Sequence, residues 1–145
     1  MKSITTTRKI DAPIETVFKT IADVRNFAKA VPGISNIEFL SDQHYGVGTR
    51  FRETRSTNGK ESSVELEVTE LVENYRIRIV SDEGGTIWDT VFTVRQEGDL
   101  VDMTMKMDAN SYKLVAKIIT PLIFGMVSRI VESDMDAVKC FCEKK

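Results

Sequence analysis

Few residues in this chain could do chemistry, and their spacing limits what that chemistry could be. Glu53 and Arg55 stand two apart in a run that alternates like a strand, so both side chains leave the same face and can approach each other. On an inner face the pair would orient the polar end of a ligand, although a buried ion pair is costly unless it is well hydrogen-bonded. At an open rim beside the Asn58-Gly59 turn the pair would simply be solvated. A catalytic version makes Glu53 a general base, Arg55 an electrostatic clamp on an enolate oxygen, and Tyr112 a proton donor. That base would need a pKa raised by burial. His44, the one histidine, lies in the turn-like loop Ser41-Asp42-Gln43-His44-Tyr45-Gly46. Imidazole titrates near neutral pH, but no partner for it is visible, and an exposed loop histidine is the plainer reading. No Ser-His-Asp set, phosphate-binding glycine loop or metal constellation can be assembled.

Trp88 and the alternating Met103, Met105 and Met107 each have two readings. They could form a flat wall and an adaptable surface for a ligand, or pack as ordinary core. Cys140 and Cys142 are two apart in a helical stretch, where side chains point to different sides, so no intrachain disulfide is expected. Two cysteines and one histidine are too few for a zinc site. Neither a metal nor a cofactor is expected, and reduced thiols fit a cytoplasmic protein.

These side chains need elements to position them. The 145 residues fit one domain, 1–145, with room for a real core. With 20 Lys and Arg against 22 Asp and Glu, the net charge is -2, and the longest basic run is Arg8-Lys9. Nucleic acid is therefore not an expected partner. The first residues carry no apolar stretch of the secretory kind. Ser3 to Ile10 reads as a β-branched strand. Pro13 suits the first position of a short helix, with Glu15 reaching back to the cap. Asp23 can cap a second short helix that Val31-Pro32-Gly33 ends.

From Ile34 onward, turns dominate and set the register. Asn58-Gly59 places Arg55 opposite Ser62, Glu53 opposite Val64 and Phe51 opposite Leu66. A turn at Glu73-Asn74 places Val68 opposite Ile79 and Glu70 opposite Ile77. A four-residue loop, Asp82 to Gly85, places Ile79 opposite Trp88 and Ile77 opposite Thr90. A last loop, Gln96 to Asp99, places Val94 opposite Val101, Phe92 opposite Met103, Thr90 opposite Met105 and Trp88 opposite Met107. All four turns bring apolar faces together, which predicts an antiparallel meander with one dry and one wet face. Glu53, Arg55, Ser62, Glu70, Ser81 and Thr90 share the dry face. Its cover must be the segment Tyr112 to Phe141, where Ile119, Ile123, Met126, Ile130, Ala137 and Phe141 form a helical stripe. Pro121 should kink this helix. The apolar stretch Leu114 to Val127 is too short and too interrupted to span a membrane. Its breadth implies a second covered face, which could line a cavity, pack on the short helices, form a weak homodimer, or touch a membrane surface.

The order strand, two short helices, six-strand meander and long terminal helix resembles the helix-grip fold of the START-related superfamily. The segments Ile10-Asp11-Ala12-Pro13-Ile14-Glu15-Thr16-Val17-Phe18, Val31-Pro32-Gly33-Ile34 and Gly46-Val47-Gly48-Thr49-Arg50-Phe51 are similar to its polyketide cyclase/dehydrase-like branch. The run Glu67 to Leu71 and the acidic end of the last helix add to the likeness. It departs at Phe27-Ala28, where an indole often sits. The resemblance implies an α+β helix-grip fold: a seven-stranded curved antiparallel sheet around a long C-terminal helix, with a cavity between them. It also implies a small hydrophobic ligand, lipid-like, polyketide or aromatic. The cavity wall would then draw on Phe51, Glu53, Arg55, Leu66, Ile79, Trp88, Thr90, Phe92, Met103, Met105, Ile119 and Ile123. Ligand binding or transport is the leading expectation, with cyclase or dehydratase activity and a chaperone-associated interaction domain as alternatives. The segment Tyr112 to Thr120 is expected to act as a flap hinged near Pro121.

Overall fold

The computed structural model describes residues 1–144. In chain order it contains β1 (Lys2–Ile10), α1 (Ile14–Ala22), α2 (Val24–Ala30), β2 (Ile34–Phe39), β3 (Arg50–Thr57), β4 (Lys60–Val72), β5 (Arg76–Glu83), β6 (Thr86–Glu97), β7 (Leu100–Ser111) and α3 (Leu114–Glu143). The strands form one antiparallel sheet in the order β1-β7-β6-β5-β4-β3-β2. This is the helix-grip architecture that the resemblance implies.

The turns explain the register, and two of them correct it. Asn58 and Gly59 both have positive φ, 51° and 79°, the geometry that matches the twist of a two-residue hairpin, and β3–β4 pair as expected. Gly84 and Gly85 also form a two-residue turn, not a four-residue loop. Ile79 therefore faces Thr90, and Ile77 faces Phe92. The β6–β7 turn is likewise tight, so Val94 faces Met103, Phe92 faces Met105, Thr90 faces Met107 and Trp88 faces Ala109. Both corrections slide a strand by two residues, and side chains alternate with period two, so the dry face keeps its members.

Glu70 is the exception. The β4–β5 register shifts after Val68, so Leu71 rather than Glu70 faces Ile77. One extra residue reverses the parity of the residues after it. Glu70 consequently lies on the wet face, where its carboxylate accepts from Arg76 at 3.0 Å and pairs with Arg78.

The helix ends also differ in detail. Pro13 is the cap of α1 rather than its first turn, and no side chain caps that end, Glu15 included. Asp23 caps α2 by accepting from the Arg25 amide at 3.0 Å. Tyr112 lies before α3 rather than inside it. The fully buried residues of α3 are Ala116, Thr120, Val131, Met135, Val138 and Cys142, a stripe offset from the one expected through Ile119 and Met126. The first half of α3 is apolar nearly all round, so hydrophobicity does not mark its packed face. The 30-residue helix is, by length and composition alone, apolar enough to cross a membrane, so the shortness of Leu114–Val127 does not exclude that. Its place in the fold is that of the helix gripped by the sheet.

The core gathers at one end of the sheet. Ile10, Val17, Phe18, Ile77, Val101, Met103 and Val138 are wholly buried there, where α1, α2 and the second half of α3 converge. Polar clamps hold the same end. Arg8 on β1 donates to Asp136 at 2.7 Å, Lys139 donates to the Lys9 carbonyl, and the Asp11 amide donates to Glu143.

Candidate ligand-binding cavity

At the other end of the sheet, the middle of α3 stands off the strands. Between Thr120 and Val131 no residue of the helix is fully buried. The space beneath is a cavity of about 620 Å³. Alternating residues of five strands build its floor: Phe51 on β3, Leu66 on β4, Ile79 on β5, Trp88 and Phe92 on β6, and Met105 and Met107 on β7. Ile119, Ile123, Met126 and Ile130 of α3 form its roof. Of these, Ile119, Met126 and Ile130 remain open to water.

A buried ionic cluster interrupts this apolar wall. Arg55 Nε donates to Glu53 at 2.9 Å, and its terminal nitrogens donate to both oxygens of Asp134 on α3 at 2.9 and 2.8 Å. The side chains are only 12–23 % exposed, so the rim-solvated reading of Glu53 and Arg55 does not hold. Burial works against the Arg55 charge, but the two carboxylates more than restore it and raise its pKa above the ordinary arginine value. Asp134 has a detectable signal in the sequence. Val127, Val131, Asp134 and Val138 follow spacings of four, three and four, so a carboxylate sits on an inward stripe and needs a cation. Among the described residues, Arg55 is the one Arg or Lys along the cavity wall.

Ser81 also lines the cavity, and its buried hydroxyl has no hydrogen-bond partner among the described residues. Thr86, Ser111 and Thr120 close the end of the cavity with a ring of three hydroxyls 2.9–3.1 Å apart. This ring pins α3 just before Pro121. At the other end of the same segment, the Tyr112 amide donates to the Gly85 carbonyl at 2.9 Å. Gly85 has φ +90°, and a Cβ there would meet the Lys113 side chain at 2.7 Å, so only glycine allows this approach. The segment expected to be a hinged flap is thus tethered at both ends.

Among the residues expected to line a cavity, Phe51, Glu53, Arg55, Leu66, Ile79, Trp88, Thr90, Phe92, Met105, Ile119 and Ile123 do so. Met103 does not, because it is wholly buried in the core at the packed end. Tyr112 does not either. It is half-exposed, and its hydroxyl donates to Asp82 at 2.8 Å. His44 is exposed and stacks on Phe39 with ring centroids 4.0 Å apart, outside the cavity. Met107, the third methionine of the alternating set, and Ser62 on the dry face also line it, and Val64, Thr86 and Met126 join the wall without having been singled out for it.

The family model described as polyketide cyclase/dehydrase and lipid transport matches residues 1–143. The chain belongs to this family. Among solved structures, it is similar to TTHA0849 from Thermus thermophilus, with TM-score 0.76, 19% identity, and coverage of 95% of this chain and 94% of that one. A START superfamily protein from Mycobacterium smegmatis aligns with TM-score 0.77 and 16% identity over 97% of each chain. The di-domain ARO/CYC StfQ of the steffimycin biosynthetic pathway aligns with TM-score 0.80 and 8% identity, covering 97% of this chain and 50% of that one. At such identities these likenesses speak for the fold. No curated protein matches the sequence. Membership of the polyketide cyclase/dehydrase and lipid transport family makes ligand binding or cyclase/dehydrase-type chemistry the two functions to weigh.

Proposed function

We propose that the protein binds and carries a small, mostly apolar molecule in the cavity between the sheet and α3. The observation that carries this reading is the cavity itself. Its volume of about 620 Å³ lies in the range of small-molecule sites, and its wall is mostly apolar with a few polar groups to orient a guest. The family description, which includes lipid transport, supports it. Two free thiols, Cys140 and Cys142, suit a reducing cytoplasm.

A cyclase or dehydratase reading keeps Glu53 as base and Arg55 as clamp. It has less support, because Arg55 spends three donors on Glu53 and Asp134, and the Tyr112 hydroxyl is held by Asp82 outside the cavity. A partner-binding outer sheet also has less support, since Arg52, Arg78 and Asp102 there already pair with neighbouring charges. Native mass spectrometry of protein purified from its own host tests the carrier reading. A co-purifying small molecule, lost on mild organic extraction, is the expected result. Protein of bare mass that also takes up no apolar probe would overturn it.

A further inference from the structure

We infer that the cavity prefers ligands whose polar end donates hydrogen bonds, an amine above an alcohol, and discriminates against carboxylates of the same skeleton. This rests on the carrier reading above and adds the chemical class of its ligand. Among the described residues, the charged groups along the wall are Glu53, Arg55, Asp134 and Glu83, whose carboxylate also accepts from the Glu65 amide at 3.1 Å; that is three carboxylates against one guanidinium, with no lysine or histidine. The guanidinium is shared, through Nε to Glu53 and through both terminal nitrogens to Asp134. A carboxylate has about four acceptor sites, so this wall holds acceptors in excess of donors. A ligand ammonium or hydroxyl would fill them. A ligand carboxylate would face two carboxylates across one cation in a partly buried setting, where like charges repel strongly.

A second observation places unmet hydrogen-bonding capacity at the same cavity. Ser81 is only 6 % exposed, lines the cavity, and its hydroxyl has no partner among the described residues. Such groups are seldom left alone in a buried setting, and a guest's polar end would complete this one. A triad built only to tie β3 to α3 would leave no preference among head groups.

Three probes with one chain length separate these cases: dodecylamine, dodecanol and dodecanoate, each kept below its aggregation limit. Each is titrated at pH 7 against protein loaded with the neutral fluorophore phenylnaphthylamine. The expected order is amine, then alcohol, then carboxylate, with at least a tenfold gap between first and last. Asp134→Asn should narrow the gap severalfold, and Glu83→Gln should narrow it less. Glu65→Gln on the outer face changes the net charge equally and should leave the gap intact. Should Asp134→Asn fail to fold by circular dichroism, Glu83→Gln and Glu65→Gln still decide the matter. Equal affinities, or tighter binding of dodecanoate, overturn the inference while leaving the carrier reading standing. Failure of the fluorophore and all three probes to bind would overturn both.

Discussion

Met103 and Met107 leave the same face of β7, four residues apart, and meet opposite surroundings. Met103 is wholly buried among α1 and the second half of α3, whereas Met107 faces the cavity. The same division runs through the other elements. On β5, Ile77 is core and Ile79 is cavity wall. On α3, Val131 to Cys142 pack, while Pro121 to Ile130 bridge an open space. Alternation decides which face of a strand is dry, but the layer above it decides whether that face is filled. Val17, Phe18 and Ile21 of α1 fill one end. At the other end a polar triad and a hydroxyl ring join helix to sheet, and they hold the helix over the gap.

If the two ends differ in this way, core truncation should cost unequally. Phe18→Ala at the packed end should lower stability by about 3–5 kcal/mol, the range for a buried aromatic. Ile119→Ala, which removes a side chain already reached by water, should cost under about 1 kcal/mol. Urea denaturation of both variants makes the comparison, and similar losses would break it.

Additions should invert the pattern. Val94→Phe must force a larger ring into a filled site and should destabilise by about 1–3 kcal/mol. Thr90→Phe puts its ring into empty space, so stability should stay within about 1 kcal/mol while probe binding is lost. A Thr90→Phe variant that unfolds would mean that the cavity end is as tightly packed as the other.

The smallest effect sharpens the packed end through pH. Burial pushes the Asp23 carboxyl up, but hydrogen bonds from the Arg25 side chain and amide outweigh this and hold its pKa below the ordinary carboxylate value. A group depressed in the folded state contributes fully above its unfolded pKa and loses that contribution as pH falls through the folded one. The α2 cap should therefore contribute about 1 kcal/mol at neutral pH and fade below about pH 4. Asp23→Asn keeps a capping oxygen without titrating, so acid melts of the variant should lack that part of the decline.

Much of the fold is legible without coordinates. β-Branched alternation marks the strands, and Asn58-Gly59 sets a register that the structure keeps. The two-residue errors at Gly84-Gly85 and Gly98 are harmless, since a slip of two preserves the face. The bulge after Val68 is not legible, and it alone misplaces Glu70. Nothing in Thr69 marks an extra residue, although its buried hydroxyl lacks a partner. Periodicity also cannot separate Met103 from Met107, because alternation is identical in core and cavity wall. The first half of α3 hides its packed face for a related reason: Leu114, Val115, Ile118 and Leu122 are apolar yet exposed. Asp134 is the readable signal missing from the expected wall. An acid on an inward helical stripe points to its cation, here Arg55.

Trp88 gives the most direct test of the central claim, since it is the chain's one tryptophan and lines the cavity. Phenylnaphthylamine bound beside it should accept its excitation energy. Titration of the wild-type chain should quench Trp88 saturably, at one fluorophore per chain, and folded Thr90→Phe should show no such saturation. Linear quenching without saturation, or the same curve in Thr90→Phe, would contradict the existence of a ligand site between the sheet and α3.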